Sequence, residues 1–166
     1  MLGKGTLQAV KVVLYQPDIA GNVGAVLRLG ACMGTPVEII EPCGFPFDLR
    51  RIRRTALDYI DHVKLRRHAS WETFQADLSN HHGRLVLLST RGAVRYDQFA
   101  FAPTDMLLFG RESAGVPDAV HDAADVVVRV PLAREMRSLN VASTSAMILG
   151  EALRQTGLLP GDEDER

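Results

Sequence analysis

Three groups of polar residues in this sequence, residues 16–28, 110–117 and 131–140, carry side chains that could bind and orient a reactive ligand. Each group begins where a short apolar segment ends, and none of the groups contains a histidine. Without an imidazole they offer hydrogen-bond donors, acceptors and carboxylates rather than a ready general base. Their candidate functional residues are Asn22 and Arg28 in the first group, Glu112 in the second, and Ser138 and Asn140 in the third.

Each of these candidates also has a purely structural interpretation. Asparagine and serine are favoured N-cap residues, so Asn22, Ser138 and Asn140 could simply begin helices. Arg28 could form a surface ion pair, and Glu112 could face water. The functional interpretation therefore depends on all of these residues lying together in the folded chain.

Short apolar segments alternate with helical patterns along the chain, which predicts an α/β fold. The pattern indicates a mostly parallel sheet with helices on both faces. In such a sheet ligands bind at the carboxyl ends of the strands, where the three polar groups lie. The predicted strands are residues 9–15, 37–40, 62–65, 85–89, 106–109 and 126–130, and the predicted helices are 22–33, 48–59, the segment from the N-cap Ser70 to Leu78, and 140–157.

The composition is that of one ordinary soluble domain, with 46% hydrophobic and 23% charged residues in a chain of 166. We expect a single domain over residues 1–160, followed by an acidic tail over 161–166. No apolar stretch approaches the roughly 20 residues of a membrane span, and the N-terminus lacks the apolar core of a secretory signal. Cys32 and Cys43 lack the spacing of a disulfide framework or a zinc site, which favours a cytoplasmic protein with free thiols and no metal.

Basic residues are concentrated in one segment of a chain whose formal net charge is −1. This basic segment, residues 50–67, contains seven arginines and lysines against two aspartates. A local basic cluster on a nearly neutral protein is typical of a polyanion site, although a solvated helix face has the same composition.

A glycine-containing turn follows the first predicted strand, as it does in dinucleotide-binding folds. Those folds require G-x-G-x-x-G, whose glycines allow the pyrophosphate to approach the backbone. The segment Gly21-Asn22-Val23-Gly24 lacks that spacing, and the sequence contains no P-loop. The sequence therefore does not predict a nicotinamide cofactor.

Three motifs occur in order between about Val12 and Gly157: N-x-G-x-x-x-R (Asn22, Gly24, Arg28), G-x-E-x-x-G-x-P (Gly110, Glu112, Gly115, Pro117) and S-L-N (Ser138, Leu139, Asn140). Their combination resembles the SPOUT superfamily of RNA methyltransferases, and within it the branch that methylates ribose 2′-hydroxyls. Further segments resemble the small bacterial members that act on the tRNA wobble nucleotide: Ile40-Glu41-Pro42, Gly44-Phe45, Arg53-Arg54 and Leu57-Asp58-Tyr59.

The resemblance implies a SPOUT fold with a C-terminal deep trefoil knot, a homodimer, S-adenosylmethionine as cofactor and a tRNA anticodon arm as partner. It implies methyl transfer to the ribose of the wobble nucleotide, a cytidine or a modified uridine. Carried over position by position, the residues implied for catalysis are Asn22, Arg28, Glu112, Ser138 and Asn140, and those implied for the cofactor are Leu88, Gly110, Val130, Leu132, Ser138 and Leu139. The residues expected at the RNA are Arg50, Arg53, Arg54 and Arg137.

The chemistry of this reaction agrees with the residues present. A methyl sulfonium is already an activated electrophile, so the reaction needs no metal. The site has to place a ribose hydroxyl in line with the methyl group and remove its proton. Family accounts give the motif arginine the role of base, but a guanidinium keeps its proton at neutral pH. We therefore expect Arg28 to clamp the hydroxyl and an adjacent phosphate, with the phosphate or water accepting the proton.

Three alternatives remain open. One is a ribose methyltransferase for another tRNA or rRNA nucleotide, and another is a catalytically silent RNA-binding relative. A silent relative would be expected to lose Arg28, Glu112 or Asn140, and the sequence retains them. The third is a base-methylating SPOUT enzyme of the guanine-N1 type, which uses an acidic base and lacks the N-x-G-x-x-x-R motif.

Overall fold

The computed structural model describes residues 9–161 and has the predicted α/β fold. Apart from Gly161, the predicted acidic tail lies outside the described residues. The strands are β1 (Lys11–Tyr15), β2 (Val37–Ile40), β3 (Leu65–His68), β4 (Leu85–Leu88), β5 (Val94–Arg95), β6 (Met106–Phe109) and β7 (Val126–Arg129). The α-helices are α1 (Ala20–Cys32), α2 (Leu49–Ala56), α3 (Trp71–Leu78), α4 (Asp118–Ala123) and α5 (Val141–Thr156), and Leu57–Asp61 and Tyr96–Gln98 are 3-10 helices.

The strands form one sheet in the order β3-β2-β1-β6-β4-β7-β5, and every strand pair in it is parallel. The central register places Leu107 of β6 between Val12 of β1 and Val86 of β4. Because all strands run in the same direction, the loops after β1, β6, β4 and β7 are neighbours at one edge of the sheet. The deep trefoil knot implied by the resemblance stays a prediction.

Helices cover both faces of the sheet. Val12 and Leu14 of β1 point to one face, where they share an apolar core with α1, α2 and α5. Val13 and Tyr15 point to the other face, where α3 contributes Phe74 and α4 closes the second core. Burial on both faces explains why the strands appear in the sequence as continuous apolar runs.

Three predicted helix ends are confirmed by their caps. Ser70 accepts a hydrogen bond from the backbone N–H of Thr73 at 3.2 Å and begins α3. Asn140 begins α5 by accepting from the backbone N–H of Ser143 at 3.1 Å. Gly157 ends α5 in a left-handed conformation with φ of 70°, which glycine adopts without strain.

Other boundaries differ from the prediction. Helix α1 begins after Ile19, so the N-cap interpretation of Asn22 is wrong. Helix α2 ends at Ala56 because Leu57 turns the chain with φ of 53° into a 3-10 helix. That helix delays the next strand, which lies at Leu65–His68 rather than 62–65. The short elements β5 and α4 were not predicted.

Neither a membrane span nor a disulfide bond occurs among residues 9–161. No described helix is long and apolar enough to cross a bilayer. Both cysteines are free, and Cys32 is exposed. Burial raises the pKa of the Cys43 thiol to about 11, which leaves that thiol protonated and unreactive at neutral pH.

Candidate active site

A cavity of about 330 Å³ lies at the carboxyl ends of β4, β6 and β7, where the three polar groups meet. Every residue implied for the cofactor lines this cavity, and so does every residue implied for catalysis except Arg28. Leu88, Val130 and Leu132 form an apolar part of the wall. Further lining residues that the motifs did not indicate include Ile19, Leu87, Ser89, Thr90, Val141 and Thr144.

The cavity suits S-adenosylmethionine in size and lining. Its volume falls at the lower end of the roughly 300–1,000 Å³ that is usual for small-ligand sites. A Cβ built on Gly110 would lie 2.7 Å from the carbonyl carbon of Gly115, so only glycine fits where this loop folds back on itself. The wall there combines this glycine-containing loop with the aliphatic side chains of Leu88, Val130 and Leu132, which is a suitable surface for an adenine.

Asn22, Glu112 and Asn140 form one hydrogen-bonded chain that joins the three polar groups. Asn22 Nδ2 donates to Glu112 Oε1 at 3.1 Å, and Asn140 Nδ2 donates to Asn22 Oδ1 at 3.0 Å. Asn140 Oδ1 is the acceptor that caps α5. The chain therefore fixes the start of α5 against α1 and the loop after β6.

A second set of hydrogen bonds, not predicted from the sequence, ties the loop after β1 to the loop after β6. The backbone N–H of Asp18 donates to Glu112 Oε2 at 2.8 Å, and the backbone N–H of Ser113 donates to Asp18 Oδ2 at 3.1 Å. The Ser113 hydroxyl donates to the same oxygen and holds the pKa of Asp18 below its usual value. We call this arrangement the Asp18–Ser113 clasp; its only sequence signal is that both residues belong to the polar groups.

Arg111 supports the turn between β1 and α1. Its guanidinium donates to Gln16 Oε1 and lies 5.7 Å from the centre of the Tyr15 ring. Gln16 has φ of 41°, in the left-handed region that residues other than glycine rarely adopt. Arg111 thus helps to hold a strained turn beside the cavity, a role that the second motif did not indicate.

Arg28 lies apart from the cavity, at an exposed position on α1. Its guanidinium carbon is 4.8 Å from the centre of the Tyr59 ring. Within residues 9–161 it forms no ion pair and donates no hydrogen bond, so the surface ion pair considered from the sequence is not present there.

The basic segment contains both paired and unpaired arginines. Arg50 and Arg54 are exposed on α2 and have no carboxylate partner among the described residues. Arg53 donates two hydrogen bonds to Asp61, at 2.7 and 3.2 Å. Arg137 is exposed in the loop before α5, and none of these arginines lines the cavity. Residues 9–161 also contain no cluster of three or more His, Cys, Asp or Glu side chains that could hold a metal ion.

Several solved structures that superpose on this chain are described as RNA methyltransferases. A solved structure described as "Structural insights into the 2-OH methylation of C/U34 on tRNA" superposes with a TM-score of 0.84 at 36% identity, over 89% of this chain and 96% of that one. An AdoMet-bound rRNA methyltransferase from Sinorhizobium meliloti superposes with a TM-score of 0.80 at 26% identity, over 88% of this chain and 56% of that one.

The sequence comparison is more specific. The chain belongs to the SpoU rRNA Methylase family, whose profile matches residues 9–150. A relative from Beijerinckia indica subsp. indica, named tRNA (cytidine(34)-2'-O)-methyltransferase, is 55% identical over 148 residues, which are 89% of this chain and 92% of the relative. These findings confirm the predicted family and fold class.

Proposed function

We propose that this protein transfers the methyl group of S-adenosylmethionine to the ribose 2′-hydroxyl of nucleotide 34, a cytidine or modified uridine, in the anticodon arm of tRNA. The observation that carries the proposal is the cavity in which the three motifs meet and are joined through Asn22, Glu112 and Asn140. The predicted activity and cofactor are confirmed by the relatives and by the AdoMet-bound structure. A cytoplasmic location and a single domain over residues 1–160 stay predictions.

The residues of the cavity align two reactants. Leu88, Val130 and Leu132 pack against the cofactor, while the loop that begins at Gly110 supplies backbone hydrogen-bonding groups. S-adenosylmethionine, when bound, supplies a methyl group on a sulfonium, which requires only an aligned oxygen nucleophile. The 2′-oxygen bonds to the methyl carbon as the carbon–sulfur bond breaks, and sulfur keeps the electron pair. The hydroxyl proton passes to a substrate phosphate or to water while Arg28 holds the reacting groups.

The position of Arg28 favours a homodimer with composite sites. Arg28 does not line the cavity of its own chain, so we infer that the partner's Arg28 completes it. Apolar side chains lie exposed at the cavity: Ile19 and Leu139 line it with exposures of 48% and 41%, and Met136, three residues before Leu139 in the chain, is 63% exposed. Exposed apolar groups clustered at one place are typical of an interface, and a second copy of this chain would cover them.

The test is methylation of unmodified tRNA by the purified protein, followed by mapping of the methylated nucleotide by mass spectrometry. We expect one 2′-O-methyl group at nucleotide 34, formed in the presence of a chelator, and calorimetric binding of S-adenosylmethionine without added metal. The matched control is the same tRNA with a 2′-deoxynucleotide at that position, which should accept no methyl group. Methylation of another tRNA nucleotide, of rRNA or of a base would contradict the proposal.

A further inference from the structure

Gly24 and Arg28, two residues of the first motif, lie one helical turn apart on the same face of α1. At Gly24 this face meets α2: a Cβ built there would lie 2.7 Å from Thr55 Cβ and 3.1 Å from the carbonyl oxygen of Ile52. Glycine therefore lets the two helices approach more closely than any side chain would allow. One turn further along, Arg28 faces the segment of chain that follows α2.

That segment is the 3-10 helix Leu57–Asp61, and it is held from both ends. Leu57 turns the chain out of α2 with φ of 53°. At the other end, Asp61 accepts the two hydrogen bonds of Arg53. Tyr59, between these constraints, lies against α1 with its ring beneath the guanidinium of Arg28.

Arg28 differs from the other arginines that lie over aromatic rings in residues 9–161. Its guanidinium carbon is 4.8 Å from the centre of the Tyr59 ring, and it donates no hydrogen bond to the described chain. The others use donors within the protein: Arg67 lies over Phe47 and donates to Glu41, Arg84 lies over Phe99 and donates to Asp105, and Arg111 lies over Tyr15 and donates to Gln16.

We propose that Tyr59 is a positioning residue that holds Arg28 by the face of its guanidinium and leaves every N–H donor free for the substrate. The inference rests on the proposed function, in which Arg28 clamps the ribose hydroxyl and a neighbouring phosphate. A carboxylate partner would also hold the side chain, but it would occupy those donors. The ring attracts the cation through its π face and leaves the edge of the guanidinium open.

Holding Arg28 in place before the substrate binds favours the reaction in a second way. A long side chain that is ordered only as the transition state forms loses conformational entropy at that step, and a pre-positioned one has already lost it. Small displacements of a clamping group also have large effects on rate, because in-line transfer depends on alignment. The role assigned to Tyr59 therefore predicts an effect on turnover rather than on affinity.

The variants Tyr59→Leu and Tyr59→Phe separate the ring from the hydroxyl. In single-turnover reactions at saturating tRNA and cofactor, we expect Tyr59→Leu to be slower by about 10- to 100-fold, the range for a misplaced reacting group. Tyr59→Phe keeps the π face and should stay within about twofold of the wild-type rate. The dissociation constants for tRNA and for S-adenosylmethionine should change by no more than about twofold in either variant, because Tyr59 acts through Arg28.

Two further measurements guard against a general effect on folding. Phe47→Leu is the matched control, because it removes a ring 3.9 Å from the guanidinium of Arg67 and should leave the rate unchanged. In NMR spectra, the Nε–H resonance of Arg28 can be assigned because it is absent from Arg28→Lys. This resonance should carry a ring-current shift in the wild type and in Tyr59→Phe. That shift should vanish in Tyr59→Leu.

Any of four results would overturn the assignment. The first is a wild-type single-turnover rate for Tyr59→Leu, and the second is a Tyr59→Leu variant that loses tRNA affinity but not rate. The third is a Phe47→Leu variant slowed as much as Tyr59→Leu, and the fourth is an Arg28 Nε–H resonance without a ring-current shift in the wild type. Failure of the wild-type protein to methylate nucleotide 34 would contradict the proposed function instead. The resonance would then still decide whether Tyr59 holds Arg28.

Discussion

The side chains of Asn22, Glu112 and Asn140 are directed mainly at one another. Glu112 accepts hydrogen bonds at both carboxylate oxygens, from the backbone of Asp18 and from the Asn22 amide. With both oxygens engaged, we propose that Glu112 holds the loops together rather than taking a proton from the ribose. At the scale of single residues, we therefore propose that Arg28 handles the substrate hydroxyl.

Substitution of Arg28 distinguishes a clamp from a simple positive charge. A clamp uses the planar fork of guanidinium donors, which lysine lacks, so we predict that Arg28→Lys and Arg28→Ala both nearly abolish methyl transfer. Cofactor affinity, measured by calorimetry, should stay within a few-fold of wild type, because the residues implied for the cofactor lie on β4 and on the loops after β6 and β7 rather than on α1. Ser138→Ala and Asn140→Ala, at residues that line the cavity, should weaken cofactor binding as well as turnover. Substantial activity in Arg28→Lys would show that charge alone suffices.

Glu38 is a buried carboxylate that the reaction does not use. It is 4% exposed, accepts a hydrogen bond from Lys11 Nζ at 2.9 Å and lies 2.6 Å from His68 Nε2. Burial alone would raise the pKa of Glu38, but these hydrogen bonds outweigh it and hold the pKa below its usual value of 4.5. The charged carboxylate therefore stabilises the fold at neutral pH.

A lowered pKa gives this contribution a definite pH dependence. The stabilisation by Glu38 is complete above the unfolded-state value of 4.5 and is lost as the pH falls through the lower folded-state value. We predict that Glu38→Gln lowers the free energy of unfolding at neutral pH by about 1–3 kcal/mol, since it removes one partner of a buried ion pair. The difference from wild type should shrink in acid, measured by urea denaturation. Asp122→Asn, at a side chain 82% exposed, is the control and should leave the free energy of unfolding unchanged. If the difference in free energy of unfolding between wild type and Glu38→Gln were the same at all pH values, Glu38 would not have the lowered pKa assigned to it.

At the scale of elements, the sequence predicts the buried strands best. Strands β2 and β6 lie at the predicted residues because each is a continuous run of mainly apolar residues, buried on both faces. The edge strand β3 was misplaced because its middle residues, Arg66 and Arg67, are exposed and give no apolar signal. Element β5, of two residues, is too short to show a period.

Contacts between distant loops are the part of the site that sequence reasoning could not supply. The motifs identified Asn22 and Glu112, but 90 residues separate them, and residue types alone do not reveal which side chains will pair. The Asp18–Ser113 clasp spans 95 residues and was missed for the same reason.

The Asp18–Ser113 clasp can be tested by two changes at Asp18. Asp18→Ala removes the acceptor of both Ser113 hydrogen bonds, and we expect cofactor affinity to fall about tenfold as the loop after β6 loosens. Asp18→Asn keeps an acceptor oxygen and should retain most of the affinity, measured by calorimetry. Asp97→Ala, which removes an exposed partner of Arg95 away from the cavity, should leave the affinity unchanged. Equal affinities for Asp18→Ala and wild type would mean that the clasp does not shape the cavity.

At the scale of the whole molecule, the unpaired arginines of α2 are the candidate RNA contact. If Arg50 and Arg54 neutralise phosphates, the double change Arg50→Gln/Arg54→Gln should weaken tRNA binding and reduce the slope of log affinity against log salt by about 1.5 to 2. The control Arg95→Gln/Arg154→Gln removes guanidinium groups that are paired with Asp97 and Glu151, and its slope should match wild type. Filter-binding titrations of tRNA across a salt series measure the affinity and its salt dependence for both double variants. If the slope of log affinity against log salt is the same in the α2 variant as in wild type, then Arg50 and Arg54 contact solvent rather than phosphates.

A mixed dimer tests whether each active site is built from two chains. Dimers of Arg28→Ala alone, or of Asn140→Ala alone, should be nearly inactive, because every site then lacks one essential group. In a mixed dimer of the two variants, a composite site can combine the intact Asn140 of one chain with the partner's Arg28. The other site lacks both groups, so the mixed dimer should regain about half of the wild-type activity. If Arg28 instead served the cavity of its own chain, each site would still lack one group and the mixed dimer would stay inactive.

Two affinity tags purify the mixed dimer, and methyl incorporation into tRNA measures its activity. Light scattering must show two chains per particle under the same conditions, and full activity from a monomer would refute the composite site directly.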